Sequence, residues 1–153
     1  MEAARHPSID AEAPAPGPIE RTLGIVGSRN ALLILREAFL GTRRFDDFVR
    51  RIGVAPATAS AHLRSLVNAG MLRRDPYQEP GSRPRQEYRL TPAGLDFLPV
   101  VVALFQWGGA HVGAESGLEL RHTDCGAEIR SALQCDAGHE VLVAEVRGVA
   151  SPF

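Results

Sequence analysis

The run from Val54 to Leu90 limits the fold most tightly. In "VAPATASAHLRSLVNAG", residues Ala59, Leu63, Leu66 and Val67 recur at i, i+4, i+7 and i+8, which draws one apolar stripe along a helix. Pro56 suits the first helical turn, where its missing N–H has no partner to lose, and Gly70 is placed to end the helix. "MLRRDPY" and "RQEYRL" follow as two strand-like runs around a loop holding Pro80, Gly81, Ser82, Arg83 and Pro84.

Three helical segments precede it. Ile19, Leu23 and Val26 recur at helical spacing and predict a short helix ending near Gly27. Asn30 is the expected cap of a second helix, "ALLILREAFL", apolar nearly all round and therefore central, which Gly41 stops. "TRRF" is short enough to add only a strand residue or two. "DDFVRRI" is a third helix with Asp46 and Asp47 in its first turn, ending at Gly53. After the hairpin, Thr91 is an expected cap, Pro92 opens a long apolar helix, and Pro99 is its expected kink. Residues 1–17 lack apolar periodicity and are read as a disordered arm; 18–112 form the main domain; 118–153 form a small ribbon-like appendage. The fold class is mainly α with a β-hairpin wing. The third and fourth helices, joined by "GVA", make a helix-turn-helix.

Charge is segregated. All 17 basic residues are arginine, and residues 19–90 hold 13 of them against seven acids, a net of +6 inside a chain whose net charge is −1. A basic middle between acidic ends is expected where one face meets a polyanion. Major-groove reading needs short side chains for close approach and a few hydrogen-bonding groups. Pro56, Ala57, Thr58, Ser60, Ala61 and Arg64 offer this on the face opposite the apolar stripe. Arg83 and Arg85 on the stiffened loop are candidates for the minor groove or a phosphate, and Arg29 and Arg43 sit at helix ends near a backbone approach. The plainer alternative is that these are solvated faces of a core helix and its hairpin.

The run from "GPIERTLGIVGSRNALLILREAFLGTRRFDDFVRRI" through "APATASAHLRSLVNAGMLRRD" to "RQEYRLTPAGLDFLPVVVALFQWG" resembles the HxlR-type winged-helix transcription regulators, relatives of the MarR group. The resemblance covers about residues 17–110. It implies a bacterial DNA-binding regulator that acts as a homodimer through the first and last helices of the domain, with double-stranded DNA as partner, a pseudo-palindromic operator and more often a repressing role. A signal, such as a small-molecule effector, would act by changing the spacing of the two recognition helices. Three departures qualify it. Gly17 stands where many members carry a sensory cysteine; Asn30 and Ala31 replace an aromatic and a hydroxyl residue at the second helix; the tail from 118 lies beyond the shared domain.

The tail holds its own constellation. His122 and Cys125 are three apart, Cys135 and His139 four apart, and nine residues separate the pairs, a spacing that two knuckles of a zinc ribbon could use. A metal-free ribbon that has lost a ligand, and a metal-responsive regulator, are the competing expectations. "HTDC" also sets a histidine and an acid beside a thiol, but no oxyanion hole, Gly-rich phosphate loop or paired carboxylate set accompanies it, so no enzyme is expected. The start "MEAARHPS" has no apolar h-region, and Leu98–Phe105 falls far short of the ~18 residues of a membrane span, so a cytoplasmic protein without membrane contact is expected. A winged helix used for protein contact remains the rival from another class.

Overall fold

The computed structural model describes residues 15–113 and 117–149, which fall into two compact units meeting in sequence at Thr91 and Pro92. In the first, α1 (Pro18–Val26), α2 (Arg29–Phe39), α3 (Phe45–Ile52) and α4 (Pro56–Asn68) precede an antiparallel hairpin of β1 (Leu72–Tyr77) and β2 (Arg85–Leu90). The second holds α5 (Pro92–Leu95), α6 (Leu98–His111) and the tail. This boundary places the long apolar segment with the tail, whereas the sequence reading divides the chain between 112 and 118. The expected arm, residues 1–17, lies outside the described residues except for its last three.

The first unit is organised around α2, which packs against α1, α3, α4 and β2. Ile34 and Leu35 of α2, Phe48 of α3, and Ala59, Leu63 and Leu66 of α4 are all fully buried. Each large apolar side chain so enclosed contributes about 1.5–3 kcal/mol relative to exposure. The stripe read along α4 is therefore the core face of that helix, with Val67 half-buried at its edge. Gly53 caps α3 in the left-handed region (φ 70°), which turns the chain sharply into α4 where a side chain would be strained.

The hairpin runs in register from Leu72↔Leu90 to Tyr77↔Arg85. Tyr88 anchors it to the helices, with its ring edge-on to Phe48 at 6.1 Å and its backbone N–H donating to the Arg43 carbonyl at 2.8 Å. The expected strand contribution of "TRRF" is the isolated bridge Arg44↔Glu87.

Two expectations are corrected. The cap of α2 is Ser28, whose Oγ accepts from the Ala31 N–H at 3.1 Å, while Asn30 lies within the first helical turn. The apolar helix after Thr91 is interrupted at residues 96–97, so Pro99 sits in the first turn of α6 and does not kink a continuous helix. A continuous helix would need the residue-99 N–H to bond the Leu95 carbonyl, and proline has none, so α5 ends at Leu95.

The apolar surface of α6 is largely uncovered: Leu104 is 50% and Trp107 61% exposed, and only Val102 is buried. On α1, Ile19 and Leu23 are likewise exposed and only Val26 is buried. In the tail two tight knuckles form, bridged at Arg121↔Glu128 and Gln134↔Glu140. Gln106 of α6 fastens the segment between them, donating to the Ile129 carbonyl at 2.7 Å and accepting from the Ser131 N–H at 2.8 Å.

Candidate nucleic-acid interface

Because Ala59, Leu63 and Leu66 face the core, the opposite side of α4 is directed outward. Pro56, Ala57, Ala61 and Arg64 are exposed, and Thr58 and Ser60 are half-buried along its flanks. Arg64 has no hydrogen bond or ion pair to any described residue. The helix thus presents two methyl groups, two hydroxyls and one free guanidinium, a set that allows close approach to base edges.

His62, beside this face, is held inward. Its Nδ1 lies 3.4 Å from Ser28 Oγ and its Nε2 3.5 Å from the Asn30 amide nitrogen, which ties the middle of α4 to the start of α2. Arg29 is exposed next to this cluster and reaches Asn30 Oδ1 at 3.5 Å. The contact was not legible in the sequence, because the residues involved are 32 and 34 positions apart.

The hairpin sorts its arginines into two classes. Arg73 and Arg89 are directly opposite in register, as are Asp75 and Glu87. Like charges facing each other would repel, but each arginine reaches an acid two residues along its own strand. Arg73 Nε meets Asp75 at 3.0 Å, and Arg89 meets Glu87 at 2.6 Å and Asp75 at 3.3 Å. The Arg73 hydrogen bond holds the Asp75 carboxyl below the usual carboxylate range and raises the guanidinium's own pKa in turn. Arg74 spends its charge over the Tyr88 ring, 5.8 Å from its centroid. At the tip the position differs: Arg83 and Arg85 are exposed and paired with no described residue. The hairpin arginines with neither an ion pair nor a ring contact therefore sit at its outer end.

The loop before α3 braces that tip. Arg44 lies 4.8 Å over the Tyr77 ring and 2.5 Å from Glu79 Oε1, so one side chain spans from the β2 edge to the exit of β1. Its hydrogen bond to Glu79 raises its pKa. Arg44 acts inside the domain; Arg43, its neighbour, is exposed and free among the described residues.

The tail brings together one of its two predicted pairs. His122 Nδ1 and Cys125 Sγ are 3.2 Å apart in the first knuckle. In the second, Cys135 and His139 are joined through backbone, with Cys135 N–H donating to the His139 carbonyl at 3.0 Å. Backbone N–H groups of His139 and Ala137 hold the Cys135 thiol below its ordinary range. Among the described residues no three histidine, cysteine or acidic side chains converge as a ligand set, and both thiols are free and exposed.

Residues 25–116 match the HxlR-like helix-turn-helix family. A Mycobacterium tuberculosis protein named Uncharacterized HTH-type transcriptional regulator Rv3095 is 41% identical over 131 residues, which span 84% of this chain and 82% of that one. The structure of PA1607, described as a candidate transcription factor, superposes with a TM-score of 0.78 at 33% identity over 90% of this chain and 97% of that one. PA1374 of Pseudomonas aeruginosa, described in the same way, gives 0.61 at 34% identity over 89% and 93%. Four helices, a recognition helix with an open polar face and a basic-tipped hairpin are the parts of a winged helix-turn-helix, and the chain belongs to the HxlR-like helix-turn-helix family of transcriptional regulators.

Proposed function

We propose that the protein is a homodimeric, sequence-specific repressor that binds a pseudo-palindromic operator and acts by occlusion in the cytoplasm. The observation that carries this is the pairing of the outward face of α4 with a wing whose arginines lacking both an ion pair and a ring contact, among the described residues, are at its tip. Thr58, Ser60 and Arg64 read base edges, Pro56, Ala57 and Ala61 permit the approach, and Arg83 and Arg85 hold a minor groove or flanking phosphates. Arg29, beside the Ser28–His62 contact, meets the backbone where α2 begins.

The occupant of the apolar faces of α1 and α6 is a second copy of the chain. Ile19, Leu23, Leu98, Val100, Leu104 and Trp107 are each more than a third exposed. Exposed apolar surface on each of these helices marks an interaction site. Lipid fits it poorly: the Pro92–His111 stretch is broken at 96–97, carries Asp96, and uses Gln106 to hold the tail backbone.

Selection of bound sequences from a random duplex pool at two salt concentrations tests the reading. A two-fold motif with half-sites about one turn apart, roughly 34 Å, is expected. Recovery of no motif, with binding that vanishes at physiological salt, overturns it and leaves the winged helix as a protein-contact module.

A further inference from the structure

We propose that the cleft walled by the α2–α3 turn, α3 and β2 is a binding site for a small anion bearing phosphate or paired carboxylate oxygens, and that its occupancy weakens binding to duplex DNA. The cleft has a volume of about 290 Å³ and is lined by Leu40, Arg43, Arg44, Asp47, Arg50, Arg51 and Glu87, among others. It is at the lower end of the ~300–1,000 Å³ of small-molecule sites, so it suits a compact metabolite.

Its charges are unbalanced. Four guanidinium groups face two carboxylates, and both carboxylates are already committed. Asp47 pairs with Arg50 along α3, and Glu87 pairs with Arg89, which is not among the lining residues, at 2.6 Å. Arg51 stands 3.5 Å from Glu37 Oε2, while the other oxygen of that buried carboxylate is held by Arg36 at 2.8 Å. Arg51 is thus loosely held, and Arg43 has no partner among the described residues. Two guanidiniums with spare donors on one recess are suited to an oxyanion, since each planar fork can donate two parallel hydrogen bonds to it.

The walls connect this site to the DNA-binding elements. The Arg43 carbonyl accepts from Tyr88 of β2, Arg44 braces the wing through Tyr77 and Glu79, and Arg50 and Arg51 belong to the first helix of the helix-turn-helix. A bound dianion cancels two units of the +6 carried by residues 19–90, which lowers attraction to a polyanion. This regulatory half rests on the DNA-binding reading; the anion-binding half does not.

The test uses the full chain and inorganic phosphate as the probe, against chloride at matched ionic strength. Calorimetric titration is expected to show one phosphate per chain, and DNA affinity to fall on the order of five- to tenfold at saturation. Arg43→Ala, which removes an exposed and unpaired side chain, is expected to abolish phosphate binding and to make its DNA affinity, whatever its value in phosphate-free buffer, insensitive to added phosphate. Arg51→Gln serves as the second variant and is expected to weaken phosphate binding. No phosphate binding above the chloride control overturns the proposal. So does an Arg43→Ala variant that still binds phosphate as the wild type does, or whose DNA affinity still falls when phosphate is added. Phosphate binding by a protein that selects no DNA motif upholds the site, while it refutes the DNA-binding reading and with it the regulatory half.

Discussion

Replacing Arg83 and Arg85 with alanine removes the two wing cations that neither a described carboxylate nor an aromatic ring engages. Each phosphate neutralised by a cation releases counterions and contributes about −0.9 to the slope of log K against log salt. Two arginines per subunit make four contacts in a homodimer, so the double variant should have a slope shallower by about 3.6. Between 50 and 200 mM salt, that difference means the wild type loses roughly 150-fold more affinity than the variant. Fluorescence anisotropy of a labelled duplex titrated at four or five salt concentrations measures both slopes. Arg73→Ala is the internal control: Asp75 already engages that guanidinium at 3.0 Å, so the slope should change by less than one. A double variant with the wild-type slope, or a control that changes it as much, would refute the division of the hairpin into ion-paired Arg73 and Arg89 and a free tip.

Three further outcomes are expected. Ser28→Ala removes the α2 cap and should lower stability by about 1 kcal/mol in urea denaturation, whereas Asn30→Ala should cost clearly less. Leu23→Asp and Leu104→Asp place charge on the exposed faces of α1 and α6 and should give a monomer in sedimentation velocity; a surviving dimer would refute the assigned interface. The backbone N–H groups of His139 and Ala137 stabilise the thiolate of Cys135, so its alkylation by iodoacetamide should reach half-maximal rate below the ~8.5 of an unperturbed thiol. Peptide mass spectrometry across a pH series reads this, and a midpoint at or above that value would refute the cause assigned.

The helices and the hairpin were legible because their apolar residues keep a period that burial enforces. The stripe of Ala59, Leu63 and Leu66 became the buried face of α4, and the alternating runs became β1 and β2. What periodicity missed was polar. Arg29 and Asn30 occupy the first turn of α2 without adding to its apolar pattern, so periodicity starts the helix two residues late and makes Asn30 look like its cap. The interruption at 96–97 follows from the missing N–H of Pro99, an effect felt four residues upstream of the proline itself. The sorting of the wing arginines depends on the register that sets Arg73 against Arg89 and Asp75 against Glu87, and composition does not reveal register. The Ser28–Asn30–His62 contact and the brace from Arg44 to Glu79 are likewise long-range pairings that only the packed chain brings together.

In the proposed complex two copies of α4 enter successive major grooves on one face of a duplex. Hydroxyl-radical footprinting of the full chain on its selected site tests this most directly. Two protected tracts on the same face, centred about one helical turn apart and both lost in an Arg64→Ala/Thr58→Ala variant that remains folded and dimeric, are the predicted result. A single tract, or protection that is unchanged by the α4 substitutions, would contradict it.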